Sequence, residues 1–251
     1  MTIDGFAMPA PTPRSERAYR ALRQAILDGE LKPGARLPED EIGAPFGISR
    51  TLSRQALQRL QGDGLVDMGG KRTATVARPS LAEARDVFRV RRALEREAIR
   101  ILVETWAPAH GAKLEGHLRA EAEALAARDP RAGVRLAWEF HVLIAGLTGN
   151  ALMETWISQL VARCSLILAV HGRPHSPDCS VNEHRAVLDA LRRGDAEGAA
   201  KLMDHHLHLV EGRALDAPEA REPDLADILS RYAAEDGTAA ATPLRRQEDK
   251  A

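Results

Sequence analysis
The segment Gly47-Ile48-Ser49 limits what this chain can become more than any other stretch. Gly47 permits a sharp turn, and the Ser49 hydroxyl is suited to cap a helix. An amphipathic helix is expected from about Arg50 to Gln61, with Leu52, Ala56, Leu57 and Leu60 on one apolar stripe. Arg50, Thr51 and Arg54 project elsewhere, and the two arginines, four apart, share a face near the helix start. A shorter helix over Glu39–Phe46 precedes the turn, and Pro45 is expected to distort its last turn. Upstream, Tyr19, Leu22 and Ile26 recur at helical spacing from Ser15 until Gly29 stops the run. Downstream, Gly62-Asp63-Gly64 ends the third helix. Leu65–Met68 and Thr73–Ala77 then form short strands around a basic hairpin tip, Gly69-Gly70-Lys71-Arg72.

Three helices followed by a hairpin have the geometry of a double-stranded DNA reader. The third helix fits a major groove, and the arginine fork matches guanine O6 and N7. Ser49 and Thr51 hydroxyls suit phosphate oxygens, and Lys71 and Arg72 can reach the backbone or the minor groove. Charge agrees: residues 14–78 carry 12 Lys/Arg against 8 Asp/Glu, whereas the whole chain balances 35 against 36. Aromatic residues are only 4%, which argues against stacking platforms for single strands. The plain alternative is a helical domain with a solvated basic face.

The stretch YRALRQAILDGELKPGARLPEDEIGAPFGISRTLSRQALQRLQGDGLV resembles the DNA-binding domain of the GntR superfamily of bacterial transcription regulators. The resemblance implies operator contacts from Ser49, Arg50, Thr51 and Arg54, assisted by wing residues Gly70, Lys71 and Arg72. Two departures stand out. Asp40 occupies a position where several members carry a DNA-contacting arginine, and Pro45 stands where a helix former is usual.

From Ser80 to about Leu215 no strand alternation occurs. Six helical stretches are expected instead, at 80–104, 108–128, 131–147, 151–171, 181–193 and 195–215. Their inward positions include Val87, Val90, Ala98, Leu118, Val134, Trp138, Trp156 and Leu209. Short connections suggest antiparallel neighbours. The expected fold is therefore mainly α: a winged helix-turn-helix at 15–78, then an antiparallel all-α bundle at 79–215. A flexible tail at 1–14 and a polar tail at 216–251, with one helix at 225–234, flank them. No run of about 18 apolar residues and no basic-then-apolar leader is found, so no membrane span or secretory signal is expected. Two cysteines, Cys164 and Cys179, exclude a disulfide framework, and a cytoplasmic location is expected.

Histidine is concentrated in the second half, with seven of the nine at 141–208. His141, His184 and His206 face inward from three different helices, and ligands from three helices can converge in a bundle core. By spacing alone, a core histidine bonded to a carbonyl is the commoner outcome. The segments VRRALEREA, EFHVLIAGLTGN, NEHRAVLDALRRGDAEGAA and MDHHL resemble the FCD ligand-binding domain of the FadR-like branch. That resemblance implies a divalent metal, Zn or Ni, held by His141, His184 and His206 beside a small carboxylate effector. The Asp that usually joins these histidines is absent, because position 137 is Ala. Arg91 and Arg163 are candidate carboxylate clamps, with an Arg91–Glu95 ion pair as the alternative for the first.

These features point to a homodimeric, DNA-binding transcription regulator, a repressor by family habit, controlled by a small organic acid. A metal-dependent enzyme using the three histidines is the alternative of another class. No acid, base or nucleophile is evident beside those histidines in the sequence. A helical adaptor binding protein through its basic face is the third.

Overall fold
The computed structural model describes residues 13–70, 72–172 and 178–215. Lys71, His175, the tail at 1–12, the tail from 216 and the expected helix at 225–234 lie outside the described residues.

The N-terminal part is α1 (Arg14–Leu27), β1 (Arg36–Leu37), α2 (Glu39–Phe46), α3 (Arg50–Gly62), β2 (Val66–Asp67) and β3 (Ala74–Val76). Gly47 adopts φ +60° at the end of α2, a conformation that glycine enters without strain. The turn into α3 is tight: a Cβ on Gly43 would stand 2.6 Å from the Ile48 carbonyl oxygen. Ser49 caps α3, its hydroxyl oxygen accepting from the Leu52 N–H. Pro45 is accommodated, and α2 continues through it to Phe46. The sheet has three strands in the order β1-β3-β2, both pairings antiparallel. β1 was not expected, since two residues are too few to show a period. Leu57, Leu60, Leu65 and Val76 are fully enclosed in the core beneath it.

The second part is all helical: α4 (Leu81–Glu104), α5 (Pro108–Ala126), α6 (Pro130–Leu147), α7 (Ala151–His171), α8 (Asp178–Arg192) and α9 (Ala196–Leu215). Side-chain caps start four of them: Ser80 accepts from Glu83 N–H, Asp129 from Ala132 N–H, Asn150 from Met153 N–H and Asp195 from Gly198 N–H. α4 packs on α9 and α7, α5 on α6 and α8. Ile99, Leu102, Leu118, Phe140, Ile157 and Leu188 form the centre of this core. Several residues expected inside lie at its edge instead. Val90, Val134, Trp156 and Leu209 are exposed, as is Leu52 on α3. Each lies at the rim of its apolar stripe, where the neighbouring helix no longer covers it.

α7 has the length and the mean hydropathy, 1.2, of a membrane span. Here its apolar character serves the core: Met153, Ile157, Val161 and Ile167 are buried against other helices. α7 also supplies Ala162 and Leu166 to the core of the N-terminal part. The two halves thus share apolar packing along one helix. Polar contacts reinforce it. Tyr19 OH donates to Asp63 at 2.6 Å, Gln159 donates to the same carboxylate at 3.1 Å, and Arg23 donates to Ser158 Oγ at 3.0 Å.

Candidate functional site
At the start of α3, Ser49, Arg50, Thr51 and Arg54 are all exposed. Gly70 and Arg72 are exposed in the wing, which turns through Gly70 at φ +62°. The reading arginines are held by the preceding helix. Arg50 donates to Asp40 at 2.7 Å and Arg54 to Glu39 at 3.2 Å. Asp40 therefore orients Arg50, in a position that supplies no positive charge of its own. At the wing base Arg36 donates to Thr73 Oγ1 at 3.1 Å. The result is an exposed, arginine-bearing helix N-terminus next to a hairpin, the arrangement that enters a major groove.

In the bundle, α6, α8 and α9 bring His141, His184 and His206 together. All three are buried, and their candidate ligand atoms lie within 4.8 Å of one another. The His206 Nε2 is 3.4 Å from that of His184 and 3.3 Å from that of His141. Each Nδ1 faces a carboxylate: His141 donates to Glu95 at 2.6 Å, His184 to Glu121 at 3.0 Å and His206 to Glu183 at 2.5 Å. Phe140 stacks on His184 with centroids 4.1 Å apart and fixes that ring. Burial pushes the His141 imidazole well below its ordinary value, and pushes His206 down to about 4. Both rings are thus neutral at neutral pH, with the proton on Nδ1 and a lone pair on Nε2. Burial opposes the charge on Glu95, but Arg91 and then His141 outweigh it and hold this carboxyl at about 2. Three imidazoles whose Nε2 atoms lie close together, each ring engaged through Nδ1 by a carboxylate, are a candidate donor set for a metal ion.

His141 and His206 line a cavity of about 510 Å³. Ala137 lines it beside His141, one helical turn earlier on α6. Its wall is mostly apolar, with Leu125, Val134, Leu168 and Val210 among the lining residues. Leu27, Asp28 and Gly29, at and just after the end of α1, also line it.

Two family models match the chain in succession. Residues 14–76 match the bacterial regulatory proteins of the gntR family, and residues 86–209 match the FCD domain. An HTH-type transcriptional regulator from an unstable DNA locus of Streptomyces ambofaciens is 31% identical over 220 residues, covering 85% of this chain and 92% of that one. The chain belongs to the GntR family. The HTH-type transcriptional repressor RspR of Escherichia coli is 25% identical, over 82% of this chain and 91% of its own length. A GntR regulator structure from Rhodococcus sp. RHA1 superposes with a TM-score of 0.72 at 26% identity, over 83% of this chain and all of that one. The fold of E. coli McbR/YncC is also similar, with a TM-score of 0.71 at 23% identity, over 79% of this chain and 95% of that one. This GntR protein is accordingly a DNA-binding transcription regulator with an FCD effector domain, and not an enzyme.

Within this GntR chain the expected site residues separate into three groups. Ser49, Arg50, Thr51, Arg54, Gly70 and Arg72 are exposed; His141, His184 and His206 share the buried centre. Arg91 and Arg163 are corrected by the structure, since neither lines the cavity. Arg91 is fully enclosed and donates through Nε to Glu95 at 2.5 Å, the alternative expected for it. It therefore positions the carboxylate that orients His141. Arg163 donates to the Gly64 carbonyl oxygen at 2.6 Å and pairs with Glu83, tying α7 to the turn after α3. Ser165, on the same helix, does face the cavity. Two residues of helix rotate a side chain by about 200°, so Arg163 points the other way.

Sequence reasoning missed Glu121 and Glu183, and named Glu95 only as a partner of Arg91. Carboxylates do stand beside the histidines, and each is engaged by an Nδ1 rather than placed as a free base. Glu183 directly precedes His184 and Glu95 lies one turn after Arg91, but the ring each one holds is on another helix.

Proposed function
We propose that this regulator is a cytoplasmic homodimeric repressor, binding a palindromic operator through paired winged helices and releasing it when a small carboxylate enters the helical domain. Operator symmetry is the usual partner of protein two-fold symmetry in this class of reader. The observation that carries the effector reading is the convergence of three imidazole rings, each anchored by a glutamate, two of which, His141 and His206, line a cavity.

The donor set fits a divalent ion. Tetrahedral coordination with Zn–N distances of about 2.0–2.1 Å places ligand nitrogens about 3.3 Å apart. The two closest pairs here stand at 3.3 and 3.4 Å, and all three candidate atoms lie within 4.8 Å of one another, separations that one divalent ion can bridge. His141, His184 and His206 would hold the ion through Nε2. Bound there, it supplies positive charge at the edge of the cavity and an open position for a carboxylate oxygen. Ala137 adds no competing carboxylate from the wall. Glu95, Glu121 and Glu183 keep the rings turned, and Arg91 keeps Glu95 charged. An effector changes operator affinity only if it favours one arrangement of the DNA-reading heads over the other.

Elemental analysis of purified protein tests this reading. The expected result is close to one zinc per chain, lost in His206→Ala, with a fall in melting temperature of several degrees when chelator removes it. Zinc that neither binds nor raises the melting temperature of the stripped protein would refute it.

A further inference from the structure
The cavity beside the histidines is not enclosed by the helical domain alone. Its lining includes His141 and His206 from the bundle and also Leu27, Asp28 and Gly29, at and just after the end of α1, the first helix of the DNA-reading head. A ligand filling it therefore touches both halves at once. The rest of the lining is mostly apolar, with Leu125, Val134, Trp138, Leu168 and Val210 from four different helices, and it also carries Glu121, Arg131 and Arg213. Val134 is 45% exposed although it belongs to an apolar helix face, so its side chain lacks a protein partner on this side. The Trp138 Nε1–H is buried and has no acceptor among the described residues. At about 510 Å³, the space far exceeds a two- or three-carbon acid and falls in the range of pockets that hold larger organic ligands.

We infer that the effector is a monocarboxylic acid with an extended apolar body, aryl or alkyl, whose far end packs against Leu27 of the DNA-reading head. This rests on the reading of the cavity as the effector site and deepens it. The carboxylate lies at the histidine end. The body runs along Val134 and Leu168. A dicarboxylate is disfavoured, because most of the wall is apolar, Asp28 and Glu121 also line it, and Arg131 is already paired with Glu30; succinate binding tighter than hexanoate would assign Arg213 as the partner of a second charge. The end of α1 is itself tied down: Arg131 on α6 pairs with Glu30, just after Gly29, at 2.5 Å. A ligand that displaces Leu27 shifts α1 against α6, and α1 packs directly on α3, the reading helix. Coupling to DNA then depends on ligand length and not only on occupancy of the histidine end.

The test is calorimetric titration of zinc-loaded, full-length protein with acetate, butyrate, hexanoate, phenylacetate and succinate, with operator binding measured alongside. Affinity is expected to rise about fourfold per methylene from acetate to hexanoate. Phenylacetate is expected to bind at least tenfold tighter than acetate, and succinate no tighter than acetate. Only the longer acids should alter operator affinity. Leu27→Ala should weaken hexanoate binding several-fold and leave acetate unchanged. Val134→Ala, at an exposed position that does not endanger folding, should do the same. Equal affinity along the series, tightest binding by succinate, or indifference of hexanoate to both substitutions would overturn the inference while leaving a carboxylate site in place. Failure of every acid to bind would remove the carboxylate reading itself, and this inference with it.

Discussion
On the reading face Arg50 meets Asp40 at 2.7 Å, and their side chains keep 72% and 64% of their accessible surface. At the histidine centre Arg91 meets Glu95 at 2.5 Å, and theirs keep 0% and 2%. The pairs are chemically alike and do opposite work. An exposed pair is screened by water and contributes at most about 1 kcal/mol, so its arginine can exchange a carboxylate for a base or phosphate at little cost. A buried pair has already lost its hydration, and breaking it leaves a bare charge in a poor dielectric. The first arrangement suits a surface that must trade partners. The second suits a centre whose rings must not turn.

The largest expected effect is at the buried pair. Glu95→Ala leaves the Arg91 guanidinium uncompensated and frees the His141 ring, and should cost about 3–5 kcal/mol in urea unfolding. Glu95→Gln, which keeps a hydrogen-bond acceptor, should cost less. A loss below about 1 kcal/mol for the alanine variant would erase the contrast drawn here. Next in size is Arg54→Ala on the exposed face. It should leave unfolding nearly unchanged, lower operator affinity by about 1–3 kcal/mol and relax specificity at one base position in a binding-site selection. Affinity that falls equally for all sequences would instead assign Arg54 to the phosphate backbone. The smallest effect is expected at Asp40→Asn. Stability should move by less than about 1 kcal/mol. Binding to random duplex should tighten modestly, because a carboxylate is removed from a surface that faces phosphates. Weaker binding to every duplex would show that Asp40 orients Arg50 more than it opposes DNA.

Much of the head was legible because its signals are local. The Ser49 cap, the Gly47 turn and the leucine stripe of α3 each involve residues within four positions of one another. The helices of the bundle were legible for the same reason, with boundaries set by caps such as Ser80, Asp129 and Asn150. Exposure at the edges was less so: periodicity marks a face but not how far a neighbour covers it, and Val90, Val134 and Trp156 fell outside the cover. The strand Arg36–Leu37 was too short to carry a pattern, and appears only because β3 is there to pair with it.

The amino-acid order alone settled that an arginine-bearing helix begins after Gly47 and that three histidines lie on inward faces of separate helices. Chain-local hydrogen bonding and side-chain periodicity are enough for both. Only the packed molecule decided that those three rings meet, that Glu95 and Glu121, 46 and 63 positions from their histidines, hold two of them, and that Arg163 turns away toward Gly64. Such contacts depend on how helices are rotated and crossed against one another, and those angles are set by the whole core at once rather than by any one segment.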